Sequence, residues 1–413
     1  MSQPADRSSA ERGRDNNARG IEFEVRVAEC YRVLHYRVET RRLFGGREVD
    51  LFLTRVLGDL TIHRAIECKA GPVTVDHLDS FLAKLNLVRR EYPSSLGTIV
   101  SGSSFTAAVA SHAAQSGIQL ITYRELSAQI LDGHPYVNQL LREQNSNERY
   151  RPERFVEPRI CYDTTSVGVP AFRIIDEWLN DEAMRQLTLL GDVGTGKTFL
   201  SRMIANRLGE EFLAEPMDKP LPLLVDLRHA DRQFSLEGIL SWHFAQTGLE
   251  QVTFRVFQHA LSEGRIVLLL DGFDEMAAKV NDQITIRNFH ELSRCVQGRA
   301  KVLLTCRTHY FRSRAEEESV ILGRASEDEA DIARGLYWDL VTRRGFQIAY
   351  VRPFDLLQVE DFVAKANPTS TKKTLEKIRS TYNLHSAGRR ANFPPFCSPL
   401  FIGQTLPSTV LDC

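Results

Sequence analysis

The chain of 413 residues has no Cys-x-x-Cys pair, and its seven cysteines (Cys30, Cys68, Cys161, Cys295, Cys306, Cys397, Cys413) are scattered and odd in number. That excludes a disulfide scaffold and a thiolate zinc site, and predicts reduced, mostly buried thiols in a cytosol. No apolar run approaches a bilayer span. The longest, residues 266–270, is strand-sized, so no membrane association is expected. A signal-peptide apolar core is missing from the amino terminus; residues 1–19, rich in Ser, Asn, Arg and Asp, read as the disordered leader of a cytoplasmic protein. Charge of one sign is missing too: 52 basic and 53 acidic residues nearly cancel, so any nucleic-acid site must be a local basic surface. No internal repeat is visible.

What is present is too long for one ordinary domain. Residues 20–130 alternate helical and strand-like patterns: a helix through Phe23, Val27, Cys30, Tyr31 and Leu34, strands at 48–53, 61–68, 97–100 and 119–122, and helices over 75–90 and 106–116. Residues 131–165, polar and carrying Pro152 and Pro158, read as a linker. A second α/β pattern fills 166–353, with strands at 187–190, 222–227, 266–270 and 301–305 and helices between them, which predicts a mostly parallel sheet. Residues 354–384 read as a small helical appendage. The prolines at 394, 395, 399 and 407 leave 385–413 irregular. Trp178 and Trp242 fall in helical stretches and are expected to pack in the core.

Gly191, Asp192, Val193, Gly194, Thr195, Gly196, Lys197 and Thr198 fit G-x-x-x-x-G-K-[ST] between an apolar strand and an apolar-periodic helix. Glycine permits the positive φ that lets successive N–H groups turn around phosphate oxygens, and the helix amino terminus adds its dipole. Lys197 would serve the β/γ oxygens, and the Thr198 hydroxyl a Mg²⁺ ion. About 75 residues on, the strand at 266–270 ends in Asp271, Asp274 and Glu275. Asp271 is placed to hold Mg²⁺ through water, and Asp274 or Glu275 to polarise the attacking water; alone, such an end is also what a capped strand looks like. The strand at 301–305 ends beside Arg307, either within reach of a γ-phosphate or solvating the strand end.

Asp271-Gly-Phe-Asp-Glu275 and Leu303-Leu-Thr-Cys-Arg-Thr-His-Tyr-Phe311 resemble the NACHT branch of the signal-transduction (STAND) P-loop NTPases. So do the segments 154–158, 222–228 and 351–355, and the likeness covers about 154–384. It implies ATP as the nucleotide and a slow switch between closed and oligomer-competent states, hence homo-oligomerisation on activation. That family continues past such an appendage into a winged-helix segment and a repeat-built sensor. Residues 385–413 instead suggest a truncated or frame-shifted product with the sensor missing.

In the first segment Glu24 lies on a helix, Asp50 opens a strand after the Gly45-Gly46 turn, and Glu67-Cys68-Lys69 lies on the next strand. Glu67 and Lys69, two apart, share a face. With Asp50 alongside, Asp50 and Glu67 could bind one Mg²⁺, Cys68 giving only its carbonyl, while Lys69 orients water or neutralises charge. Salt-bridged pairs, Glu67 with Lys69 or Arg47 with Asp50, are the competing reading. Arg41, Arg42, Arg47, Lys84, Arg89 and Arg90 either hold phosphates or are solvated charges. This order of residues, with the segments 98–107 and 119–126, resembles the Mrr-like restriction endonucleases of the PD-(D/E)xK superfamily over about 20–130. The likeness implies Glu24, Asp50, Glu67 and Lys69 as the nuclease residues. The two resemblances together imply an ATP-gated nuclease that cuts double-stranded DNA in bacterial defence against phage, with a phage-derived trigger. The rival readings are an ATP-driven restriction motor and a non-catalytic DNA- or protein-binding adaptor.

Overall fold

The computed structural model describes residues 9–163, 166–229, 235–277, 296–308, 345–366, 368–369 and 371–381. The chain divides into two compact units, Met1–Asp132 and Gly133–Cys413. Both are α/β. The expected irregular tail at 385–413 lies outside the described residues.

Unit 1 runs α1 (Ser9–Val33), β1 (Arg37–Phe44), β2 (Arg47–Leu57), β3 (Leu60–Lys69), α2 (Val75–Glu91), β4 (Leu96–Ser101), α3 (Ala107–Gln115), β5 (Ile118–Thr122) and α4 (Tyr123–Ala128). Helix α1 begins at Ser9, so the leader expected over 1–19 is in part helix. The five strands lie in the order β1-β2-β3-β4-β5; the first three are antiparallel, and β3, β4 and β5 are parallel. Gly45 and Gly46, at φ 53° and 80°, supply the left-handed pair that a two-residue hairpin between β1 and β2 requires. Thr74, Thr106 and Thr122 cap the helices that follow, each accepting a backbone N–H three residues on.

Both faces of the sheet are covered, which explains the unbroken apolar run Leu51-Phe52-Leu53. Leu51, Leu53, Ile66 and Cys68 pack with Phe23, Val27 and Tyr31 of α1. Phe52 and Ala65 pack with Leu78, Phe81, Leu85 and Val88 of α2. Adjacent positions therefore serve opposite cores, and this fixes where the polar residues at the strand ends point.

Unit 2 continues with α5 (His134–Ser146), β6 (Arg159–Cys161), β7 (Val169–Pro170), α6 (Ala171–Asn180), β8 (Gln186–Leu190), α7 (Lys197–Ala214), β9 (Leu221–Asp226), α8 (Leu236–Gln246), α9 (Phe254–Ser262), β10 (Ile266–Asp271), α10 (Phe273–Ala277), β11 (Lys301–Cys306), β12 (Phe346–Val351), α11 (Leu356–Ala366) and α12 (Thr371–Thr381). Its sheet has the order β7-β6-β12-β8-β11-β10-β9, with β12, β8, β11, β10 and β9 parallel. Strand β8 is central, so the loop that follows it meets the ends of β11 and β12.

The stretch 131–165 is not a free linker. Helix α5 packs Val137 against Gly209, where a Cβ would come within 3.1 Å of it, and the Gln144 amide donates to the Arg202 carbonyl at 2.8 Å. The Tyr136 hydroxyl accepts the N–H of Leu224 on the edge strand β9 at 2.8 Å. An unpaired edge amide is thereby satisfied and covered. Further on, Val156 joins Phe354, Val359, Phe362, Val363 and Ile378 in a small core holding α11 and α12. Trp178 is buried as expected, but Trp242 is 46% exposed: it lies on α8, whose buried face is formed by Leu236, Ile239, Leu240 and Phe244. No helix among the described residues is long and apolar enough to cross a membrane.

Candidate functional site

Strand β8 is completely buried and delivers the loop 191–196 to the amino terminus of α7. Gly194 and Gly196 take φ 83° and 88°, left-handed values that a Cβ resists. At Gly191 a Cβ would come within 2.7 Å of Thr195 Oγ1 and 3.2 Å of Val351 Cβ. Thr195 closes the loop by donating to the Asp192 carbonyl at 3.0 Å. Lys197 Nζ donates to the Gly191 and Asp192 carbonyls at 2.5 and 3.1 Å. Burial lowers the Lys197 pKa, opposed by Asp274 and Asp271 among others. The charges of those acids are therefore felt at the lysine.

Asp271, at the end of β10, is buried, and its Oδ1 accepts the Thr305 hydroxyl at 2.7 Å. Thr305 Oγ in turn accepts the Gly272 N–H at 2.9 Å. Strand β11 thus holds the β10 carboxylate through a side chain, as strand order demands. Arg307 is bound to the acids that follow: its N–H and Nε reach Asp274 at 3.0 and 2.9 Å, and Nη2 reaches Glu275 Oε1 at 3.5 Å. Asp274, Glu275 and Arg307 are therefore one ion-pair group at the ends of β10 and β11. Sequence reasoning missed Arg228. It donates to Asp226 at 2.8 and 2.6 Å and stands 4.0 Å from Asp271 and 3.9 Å from Glu275. Hydrogen bonding to Asp226 raises its pKa. The apolar strand before Asp226 gave no signal for this partner; only the β9–β10 register, which pairs Asp226 with Asp271, brings it in.

In unit 1, Leu51 pairs with Ile66, so one step further Asp50 and Glu67 are cross-strand neighbours. They share parity with Phe52 and Ala65, the residues under α2, so both acids belong to the α2 face. Asp50 Oδ2 accepts the Cys68 N–H at 2.7 Å. A strand residue's N–H and C=O project to the same side, so the Cys68 carbonyl faces the same gap. Burial, then the charge of Glu67, pushes the Asp50 pKa up to about 6, against the pull of the Cys68 N–H and Lys84. Glu67 is buried; Lys69 donates to its Oε1 at 3.0 Å, and Lys84 donates to both its oxygens at 2.8 and 3.1 Å. Burial lowers the Lys69 pKa, but Glu67 and Asp50 outweigh it and the net shift is upward.

The fourth expected residue, Glu24 on α1, accepts Arg41 at 3.2 Å, and its charge contributes to the Asp50 shift. Arg41 has φ 53° in mid-strand, where the β1–β2 ladder skips the Arg41–Asp50 position. That left-handed residue costs roughly 1–3 kcal/mol. The half-buried Asp50 and the buried Glu67, with the Cys68 carbonyl beside them, form a hard-oxygen donor set that suits Mg²⁺. The set is two carboxylates rather than three: among the described residues no three His, Cys, Asp or Glu side chains gather as a metal-holding group.

Residues 185–330 match the NACHT domain family. An uncharacterized WD repeat-containing protein of Nostoc sp. (strain PCC 7120 / SAG 25.82 / UTEX 2576) is 36% identical over 151 residues, 36% of this chain and 10% of that protein. The chain thus spans about a tenth of the length of that curated relative. Among solved structures, a repair endonuclease from Pyrococcus abyssi is similar over 29% of this chain and 49% of its own, at 15% identity and a TM-score of 0.21. Drosophila ORC bound to DNA is similar over 68% and 67%, at 14% identity and 0.30. The S. cerevisiae Hsp104–ADP complex is similar over 75% and 48%, at 12% identity and 0.27. Likeness at this level assigns no function. With the loop 191–198 at the end of a buried parallel strand and Asp271 at the end of another, the region 185–330 is a NACHT domain, a nucleotide-binding P-loop NTPase module.

Proposed function

We propose that the chain is an ATP-gated, Mg²⁺-dependent nuclease in which the NACHT module controls an endonuclease built on unit 1. The observation that carries the reading is the pairing of the half-buried Asp50 with the buried Glu67, with Lys69 on the same face, in the same chain as a P-loop NTPase. A divalent ion there would lower the pKa of a bound water and stabilise charge on the phosphodiester. Asp50 and Glu67 hold hard oxygens toward one point, and the Cys68 N–H fixes the orientation of Asp50. Lys69 carries a cation within reach of the same point and can orient water or offset phosphate charge.

In unit 2 the loop amides and Lys197 take the ATP phosphates, Thr198 and Asp271 address Mg²⁺, and Asp274 or Glu275 polarises the attacking water. Arg307 leaves its acids for the γ-phosphate. Nucleotide binding then selects an oligomeric state that clusters nuclease units, since cutting both strands of a duplex takes two active sites. The setting proposed is cytoplasmic defence against phage, with a phage-derived trigger. The test is Mg²⁺-dependent cleavage of plasmid DNA by purified protein in the presence of ATP. Asp50→Ala and Lys69→Ala should abolish it while nucleotide binding stays intact. Cleavage that survives Lys69→Ala in a clean preparation ends the unit 1 assignment.

A second reading has one observation in its favour. Both Glu67 oxygens carry ammonium donors, as they would in a purely structural ion-pair cluster of a non-catalytic adaptor. Binding of Mn²⁺ by the native chain and not by Asp50→Ala decides against it.

A further inference from the structure

Lys84 has no part in the roles above, yet it is the closest cation to Glu67. It lies on α2, three residues after Phe81 and one before Leu85, beside the stripe that packs onto the sheet. That placement carries its side chain inward. Its Nζ stands 2.8 and 3.1 Å from the two Glu67 oxygens, and its side chain is only 19% exposed against 6% for Glu67. Lys69 meets Oε1 alone, at 3.0 Å. Two ammoniums from different elements thus hold one buried carboxylate.

A lysine held tightly by the carboxylate beside it has fewer donors and less reach to offer a phosphodiester or its attacking water. Were Lys69 the sole partner, its departure before a metal ion arrives would leave Glu67 buried and unpaired, a costly state. Lys84 removes that obstacle because it already bonds both oxygens from the helix side, at the cost of its own rotamer freedom. We infer that Lys84 is a positioning residue of the unit 1 site, holding Glu67 in place beside Asp50 so that Lys69 is free to engage the phosphodiester. This inference rests on the nuclease reading.

The test uses the full chain as native protein, Lys84→Met, which keeps length and removes charge, and Lys84→Arg. Mn²⁺ binding is measured by calorimetry without DNA. Single-turnover nicking of supercoiled plasmid is followed at saturating Mg²⁺ and ATP. Lys84→Met should bind Mn²⁺ about three- to tenfold more tightly, because a positive charge 2.8 Å from a ligand oxygen is gone. Its nicking should fall by at least about tenfold, as Lys69 is then retained by Glu67. Lys84→Arg should recover most of the nicking.

Tighter metal with slower cutting is a split that a lost structural salt bridge does not produce. Nicking by Lys84→Met within twofold of native overturns the inference. So do metal binding and nicking that weaken together with an earlier thermal transition. If the native chain neither binds Mn²⁺ nor nicks, the nuclease reading fails and this inference with it. A native chain that does both, matched by Lys84→Met, overturns the inference alone.

Discussion

Asp50→Asn should stabilise the metal-free protein at neutral pH, and the structure gives the size of the effect. The Asp50 pKa is about 6 in the folded chain against 3.8 in its absence, with burial and then Glu67 as the leading causes. The folded state therefore favours the protonated acid. Below pH 4 the group costs nothing; the cost grows as pH rises from 4 to 6 and is complete above 6. About two units at 1.36 kcal/mol each put the full penalty near 3 kcal/mol. Asparagine abolishes it but still accepts the Cys68 N–H, now without charge assistance, which returns roughly 1 kcal/mol. The net gain is about 1–2 kcal/mol, a few degrees in the melting temperature of unit 1. Scanning calorimetry in EDTA at pH 7.5 and pH 4 measures it: the gain should be present at the first and absent at the second. A variant no more stable than native at pH 7.5, or a gain that ignores pH, refutes the reasoning. A site that is destabilising until occupied is what a binding function selects.

Tyr136→Phe removes the acceptor for the buried Leu224 N–H and should cost about 1–3 kcal/mol in denaturant unfolding of unit 2. Gly191→Ala puts a Cβ within 2.7 Å of Thr195 Oγ1, so ATP binding measured by calorimetry should weaken at least about tenfold with little loss of fold. Arg307→Ala removes the guanidinium from Asp274 and Glu275; ATP should still bind within a few-fold while hydrolysis in a phosphate-release assay falls at least about tenfold.

The sequence makes some of this architecture legible and hides the rest for identifiable reasons. The loop at 191–198, the strands β8 to β11 and the acids at 271–275 stand out because buried parallel strands are continuous apolar runs. Strand β1 escapes because it is an exposed edge whose residues, Arg37, Glu39, Thr40, Arg41 and Arg42 among them, resemble a loop. Strands β6 and β7 are too short to carry periodicity. Strand β12 is six residues long and buried only at Phe346, Ala349 and Val351, without alternation, and its membership of the sheet rests on long-range pairing with β8. Helix α5 was legible in part: Tyr136, Val137, Leu140 and Gln144 form a buried helical stripe, outweighed in the sequence by the polar run at 143–149. At the unit 1 site, spacing places Glu67 and Lys69 on one face, but nothing local says that Lys84 reaches Glu67 or that Arg41 takes Glu24. Those pairings are set by how α1 and α2 lie on the sheet.

Control of the unit 1 site by nucleotide bound in unit 2 is tested most directly by plasmid cleavage. Native, Lys69→Ala and Lys197→Ala proteins are incubated with supercoiled DNA and Mg²⁺, each with and without ATP. The account predicts cutting by the native chain only when ATP is present, none by Lys69→Ala, and none by Lys197→Ala in either condition. Equal cutting with and without ATP, or cutting by Lys69→Ala, would contradict it.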